Sequence, residues 1–424
     1  MLRTKKIASF FSSAVIRNGL SLYILQMFNT VIPLLTLPYI TRILGAQEYG
    51  TFSIAFNLIG YLMVIVEYGF GMSGARKASL AKNIRELDTT FTAIVISRML
   101  LCIVCGISTV IYGSLILESY EQKLCLYLLF FIPIGVVLQQ NWLFQGLQRM
   151  QYITITSVIS RIVSLIGIFG FVKTPNDLAL YCILYSSSTI LIGIIGTYIA
   201  IYIFKIRFVR INIHDVITEI KNGWYVFTTS LSSKVFNTFG ITVLGILSTN
   251  YYVGIYSAIQ KVPQLILLIW SPIAQILFPI SSQKMTASFD EGREFILRVE
   301  RIILPLFFII LFVVGLFSKN IIEILFGIEY CEYSYLIYPL LLWLIFGIIN
   351  NFSGIQTLLA GGYAKEYSKC FFYGVWFTIF FNLLFVRLMG ILGASIAPAI
   401  SEFLFGLLLH FQIKRIRKEK HEIQ

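Results

Sequence analysis

The sequence predicts an all-α polytopic membrane protein with about 12 transmembrane helices. Three observations lead there. The chain is 58% hydrophobic and 12% charged, with a mean hydropathy of +0.83. Its apolar residues fall in long blocks, such as 152–172, 307–317 and 391–411. Its basic residues gather in alternate connections between those blocks. A soluble chain of 424 residues could not cover so much apolar surface with so few charges. Blocks of about 20 residues match a helical crossing, whereas a strand needs about half that length. Backbone facing lipid must bond to itself, which selects a helical bundle.

In order, the spans read 19–41, 51–72, 91–117, 123–144, 152–172, 178–204, 223–247, 252–279, 299–317, 334–360, 367–389 and 391–413. Ahead of them, Arg3, Lys5 and Lys6 precede a short apolar stretch that Arg17 interrupts. With no small-residue cleavage site after it, this segment reads as an amphipathic helix on the cytoplasmic face. No connection is long enough to hold a folded extramembrane domain.

The loop charges give an orientation. With the N-terminus inside, one side carries clusters such as Arg76, Lys77, Lys82 and Arg85, then Lys205, Arg207, Arg210 and Lys221, and finally Lys414, Arg415, Arg417, Lys418 and Lys420. About 24 basic residues fall on that side and about 5 on the other (Arg42, Lys123, Lys173, Lys319 and Arg387). Both termini are therefore expected in the cytoplasm. The net charge of +13 follows from topology and anionic headgroups, with no nucleic-acid partner implied.

An internal echo accompanies the even span count. Phe28-Asn29-Thr30, Leu44-Gly45 and Tyr49-Gly50-Thr51 recur as Phe236-Asn237-Thr238, Leu247-Ser248 and Val253-Gly254-Ile255. The echo suggests two parallel six-helix bundles, 1–204 and 205–424. Cys102 and Cys105 form a CxxC inside an apolar run without histidine, which reads as packing and not as a metal site. No catalytic motif is present, and no cofactor is implied.

Away from the span edges, Arg98, Arg161, Lys234 and Lys261 sit inside spans, and the acids there are Glu67 and Glu402. A charge there costs a few kcal/mol or more, so these groups must face the bundle interior or water. Cations outnumber acids, which points to an anionic ligand. These four are the candidate substrate-binding residues. Arg98 could instead pair with Glu67 or snorkel outward. Glu402 is either a lysine's counter-ion or, like Glu67, a candidate for ion coupling. Pro263, Pro272 and Pro279 mark the eighth span as a hinge or a static kink, and Pro33 and Pro38 lie on the first.

Longer stretches carry a family resemblance. Leu37-Pro38-Tyr39 with Arg42, Leu44-Gly45, Tyr49-Gly50, and Tyr68-Gly69-Phe70 with Arg76 resemble the N-terminal region of Wzx-type O-antigen and polysaccharide repeat-unit flippases, in the MATE-like exporter superfamily. Trp142-Leu143-Phe144-Gln145-Gly146-Leu147 followed by Arg161 and Phe171-Val172-Lys173 is similar too, as is Val253–Ala258 with Lys261 and Pro279. Family members commonly have Asp where this chain has Glu67, and the last three spans match only in hydropathy.

The resemblance implies an ion-coupled flippase of the cell (inner) membrane. It would move undecaprenyl-diphosphate-linked oligosaccharide to the outer leaflet by alternating access of two six-helix bundles around a cationic lumen. Membrane lipids, a polysaccharide polymerase and a chain-length regulator are the candidate partners. A drug exporter of the same superfamily would favour interior acids. A membrane polysaccharide polymerase would need catalytic groups in a large outer loop. Neither pattern is present.

Overall fold

The computed structural model describes residues 13–423, and among these there is no β-strand. The expected N-terminal surface helix lies at residues outside that range, for the most part. In chain order the α-helices are α1 (Ser13–Glu67), α2 (Phe70–Leu80), α3 (Ile84–Leu115), α4 (Tyr120–Leu129), α5 (Phe131–Leu138), α6 (Asn141–Gly146), α7 (Met150–Phe171) and α8 (Leu178–Tyr198). They continue with α9 (Ile213–Leu247), α10 (Asn250–Ile259), α11 (Lys261–Ala287), α12 (Phe289–Leu316), α13 (Ser318–Phe326), α14 (Ile337–Asn350), α15 (Ala364–Met389) and α16 (Ile391–Ile423).

Eleven helical segments among the described residues are long and apolar enough to cross a membrane. The first of these, Leu25–Leu80, is 56 residues long. At 1.5 Å per residue it far exceeds a hydrocarbon core of about 30 Å. Gly45, at φ 71° and ψ 174°, breaks α1 there into two arms. Only glycine enters that backbone region readily. Two crossings in this segment give the expected count of about twelve. The outward faces are apolar, as lipid requires: α3 exposes Ile103, Ile107, Val110 and Ile111 along one stripe.

The chain divides into two compact units. The first comprises residues up to Leu44 together with Ala55–Lys234; the second comprises Gly45–Ile54 and Val235–Gln424. This division differs from the expected one after residue 204. Helix α9 runs unbroken for 35 residues, and its opening turns pack within the first unit. A methyl on Gly223 would stand 2.6 Å from the Tyr68 carbonyl oxygen, Tyr68 stacks on Phe227 at 4.5 Å, and Lys77 pairs with the buried Glu219.

In the first unit, a core of Phe70, Phe91, Ile94, Trp142, Leu143 and Phe144 ties α2, α3 and α6 together. Tyr39 stacks on Phe169 at 4.4 Å and donates to the Val172 carbonyl at 2.7 Å, which fastens the first arm of α1 to the end of α7.

In the second unit, residues 45–54 lie against the start of α10 at a distance only glycines permit. A methyl on Gly50 would stand 1.7 Å from the Asn250 carbonyl oxygen, and one on Gly254 1.9 Å from that of Ala46. Asn250 Nδ2 donates to Thr51 Oγ1 at 2.8 Å beside this crossing. The eighth span is broken between α10 and α11 at Gln260, just ahead of Pro263, while Pro272 and Pro279 sit inside α11. In the first turn of α11, Pro263 sacrifices no helix bond.

Candidate functional site

Two of the four interior cations sit against one stripe of α1's second arm, and a third is linked to it through an aromatic pair. Phe56, Gly60 and Glu67 are spaced by four and seven residues, so they share a helix face. Glu67 Oε2 accepts from Arg98 at 2.5 Å. The Arg98 guanidinium also donates to the Gln139 carbonyl at 2.7 Å, at the C-terminal cap of α5 where helix carbonyls lack partners. Arg98 is 2% exposed, whereas the Glu67 side chain is 41% exposed. The structure thus places Arg98 in a structural ion pair and helix cap, with no open face for a ligand. Glu67 is committed to the same pair.

Lys234 lies two turns nearer the start of the stripe, against Gly60. Its ammonium is 5.3 Å from the Tyr61 ring centroid, a cation–π distance. It also occupies space that glycine leaves open: a methyl on Gly60 would stand 2.5 Å from Nζ. Arg161, on α7, has the Tyr185 hydroxyl as its electrostatic neighbour, and Tyr185 meets Phe56 edge to face at 5.3 Å. Among the described residues no carboxylate pairs with Arg161.

In the second unit, Lys261 opens α11 at the helix break and donates to Gln264 Oε1 at 3.1 Å. It too lacks a carboxylate among the described residues. Glu402 is buried and bound to Asn350, whose amide donates to its Oε2 at 2.6 Å and to its backbone oxygen at 2.8 Å. Its hydrogen-bond partner is thus an amide rather than a lysine.

Sequence reasoning missed the uncharged polar groups around these positions. Asn350 ends α14, and the chain passes there into a π-helical stretch, Asn351–Leu359. Such wide turns are frequent at functional sites. From it, Gln356 bonds the Ala274 carbonyl at 2.9 Å and Ser281 at 3.2 Å, and Thr357 accepts from Arg293 at 3.1 Å. Neutral amides and hydroxyls carry no charge signal, and only their placement within apolar blocks could have marked them.

A separate cavity of about 570 Å³ in the first unit is lined by Lys77, Arg85, Glu86, Asp215 and Glu219 among others. Its acids outnumber its bases, so it does not suit an anion. It holds none of the candidate cations. The described residues contain no cluster able to hold a metal ion.

The motifs that carry the family resemblance are packing devices. Trp142 fills the space beside Gly74, the Gly146 backbone meets the Ala75 carbonyl, and Gly254 makes the crossing with Ala46 and Gly50.

The sequence model of a family described as polysaccharide biosynthesis protein matches residues 15–285. An Escherichia coli (strain K12) protein described as an O-antigen transporter is 27% identical over 360 residues, covering 83% of this chain and 85% of its own. A Haloferax volcanii protein described as the low-salt glycan biosynthesis flippase Agl15 is 23% identical over 412 residues, covering 93% of this chain and 82% of its own. Among solved structures, a multidrug resistance MATE family transporter of the MOP superfamily shares the fold with a TM-score of 0.72 at 14% identity, over 95% of this chain and 99% of that one. The lipid II flippase MurJ does so with a TM-score of 0.71 at 17% identity, over 94% and 87%. The fold is MATE-like, and with its family model matched over more than half its length, this multi-pass membrane chain belongs to the polysaccharide biosynthesis protein family.

Proposed function

We propose that this protein is a flippase that moves undecaprenyl-diphosphate-linked oligosaccharide from the cytoplasmic to the outer leaflet by ion-coupled alternating access, with both termini cytoplasmic. The observation that carries the reading is the state of the interior cations. Arg161 and Lys261 have no carboxylate partner among the described residues, and Lys234 rests on a tyrosine ring. Holding such charges inside a bundle is costly unless a ligand uses them. A diphosphate is a compact anion that accepts several charge-assisted hydrogen bonds, and the guanidinium of Arg161 can grip it through two donors.

Arg161, Lys234 and Lys261 are the groups that meet the diphosphate in the course of transport. Arg98 acts at one remove, by fixing Glu67 and the end of α5. Glu402 is the candidate for ion coupling: its carboxylate is buried beside a π-helical turn and has one amide as its partner. The glycan biosynthesis and O-antigen transport named for the relatives support the choice of cargo. No bond is made or broken, so the protein is not an enzyme on this reading.

The test is reconstitution into vesicles with a lipid-linked oligosaccharide, following leaflet exchange with and without a proton or sodium gradient. Accelerated exchange supports the reading. No exchange under any gradient, with transport of a drug-like cation instead, overturns it.

A further inference from the structure

The first turn of α10 and the 3-10 stretch Ile328–Leu336 build a cluster in the second unit that the reading above leaves unused. At three residues per turn, a 3-10 helix puts Glu329, Glu332 and Tyr335 on one face and Tyr330, Tyr333 and Leu336 on the next. The burial pattern follows this period. Tyr330 and Leu336 are fully buried anchors, Tyr333 is half-buried, and the other three are exposed. Tyr333 meets Tyr251 at 6.2 Å and Tyr252 at 6.0 Å, and these two stand 5.6 Å apart, all edge to face at 71–78°. Tyr335 continues the row 6.3 Å from Tyr333. Glu329 Oε2 accepts the Ala46 N–H at 3.2 Å, which pins the carboxylate beside the row, and Glu332 bears electrostatically on Tyr251 and Tyr333.

Tyrosines at a membrane interface commonly stand singly, with ring in lipid and hydroxyl in the headgroups. This cluster differs: its rings touch one another, and carboxylates, which lipid would exclude, stand beside them. Ring faces on the outside of the row, at the partly exposed Tyr252 and Tyr335, can instead take the C–H edges of a flat ligand, whose partial positive charge suits the negative π face. Carboxylates beside such faces accept hydroxyl donors through strong hydrogen bonds. Faces for C–H groups next to acceptors for O–H groups is the chemistry of a pyranose ring.

We propose that Tyr251, Tyr252, Tyr333 and Tyr335 with Glu329 and Glu332 form a carbohydrate-binding subsite for the glycan part of the cargo, on the side that releases it. The proposal rests on the flippase reading, since that supplies the glycan and the side. Two carboxylates make the subsite selective for sugars without acidic groups.

The test uses the full chain in lipid nanodiscs and a phosphate-free probe, a neutral oligosaccharide released from the host's surface polysaccharide by mild acid, with a uronate oligosaccharide as contrast. Saturation-transfer NMR measures binding. The neutral probe is expected to bind, the uronate to bind weakly, and Tyr252→Ala with Tyr333→Ala to weaken the neutral probe about tenfold, worth about 1.4 kcal/mol. Tyr252→Phe keeps the ring and should bind as the native chain, which separates recognition from misfolding. Equal binding by the alanine variant, or no transfer to the native chain, overturns the subsite. Leaflet exchange on the same nanodisc-tested protein, moved to vesicles, separates the two readings. Exchange without sugar binding rejects the subsite alone, and sugar binding without exchange supports carbohydrate binding but rejects the flippase reading and, with it, the assignment of the subsite to cargo.

Discussion

Gly50 and Gly254 meet in a reciprocal contact: each lies against the carbonyl oxygen four residues before the other, Asn250 for Gly50 and Ala46 for Gly254. The same two glycines occupy corresponding places in the sequence echo, Tyr49-Gly50-Thr51 and Val253-Gly254-Ile255. The repeat is therefore also a contact, of the small-residue type that lets helices approach in membranes.

An alanine at either position puts a methyl within 2 Å of a backbone oxygen, where no rotamer change can relieve the clash. Gly50→Ala and Gly254→Ala should each destabilise the second unit by about 1–3 kcal/mol or more. Thermal unfolding in detergent measures the loss, with Gly170→Ala as control because open space surrounds that glycine. Native-like melting of both variants would show that the crossing does not exist in the folded protein.

Thr51 and Asn250 offer a way to lock the crossing, since their side chains meet at 2.8 Å. If the proposed alternating-access cycle releases cargo past this crossing, its segments must part for the cargo to leave. Oxidising a Thr51→Cys/Asn250→Cys pair should stop leaflet exchange, and a reductant should restore it. Full cross-linking with unchanged exchange would place the exit elsewhere. The six native cysteines are buried, which favours selective oxidation of the new pair.

Much of this fold was legible in the sequence because a bilayer imposes a length on every helix. Apolar blocks gave the crossings, and Glu67 and Arg98 stood out as charges at matching depth. The boundary at Lys234/Val235 was not legible, because α9 continues through it with no break in hydropathy. Nor was the partner of Glu402. Asn350 is a neutral amide in an apolar run, and nothing in its spacing announces a buried hydrogen bond to a residue 52 positions away. The tyrosine row needed coordinates too, since Tyr251 and Tyr333 are brought together only by the tertiary fold.

The Arg98–Glu67 pair predicts an asymmetry. Glu67→Ala leaves a guanidinium at 2% exposure without its counter-ion, while Arg98→Met leaves a carboxylate that is 41% exposed. Removing the acid should cost about 3 kcal/mol or more, and removing the base less. The double variant should behave like Arg98→Met, because no buried charge is then left unpaired. Unfolding in detergent for the four proteins makes a complete cycle. Equal losses from the two single variants would show that Arg98 has access to water or another partner.

Gly60 holds the place of the Lys234 ammonium. Gly60→Ala puts a methyl where Nζ now sits, and a flexible lysine end can move aside at little cost in stability. Its predicted effect is therefore on transport with melting nearly unchanged. Lysine displaced from the Tyr61 ring loses a cation–π contact worth about 0.5–2 kcal/mol. Exchange should slow several-fold. Native exchange rates in Gly60→Ala would show that the position of Lys234 is unimportant for the cargo.

Arg161 and Lys261 carry the strongest transport prediction, as interior cations with no carboxylate among the described residues. Arg161→Ala and Lys261→Ala remove a half-buried interior charge that no carboxylate among the described residues pairs with, so insertion and melting should hold or improve. Loss of a charge-assisted contact to a diphosphate costs about 1.5–3 kcal/mol, or roughly 10- to 150-fold in cargo affinity. Arg161→Lys should recover part of that, because an ammonium keeps the charge but not the paired donors. The measurement is exchange rate against cargo concentration at matched protein levels, with Lys234→Ala alongside. Undiminished exchange in Arg161→Ala and Lys234→Ala at normal levels would reject diphosphate binding by these cations.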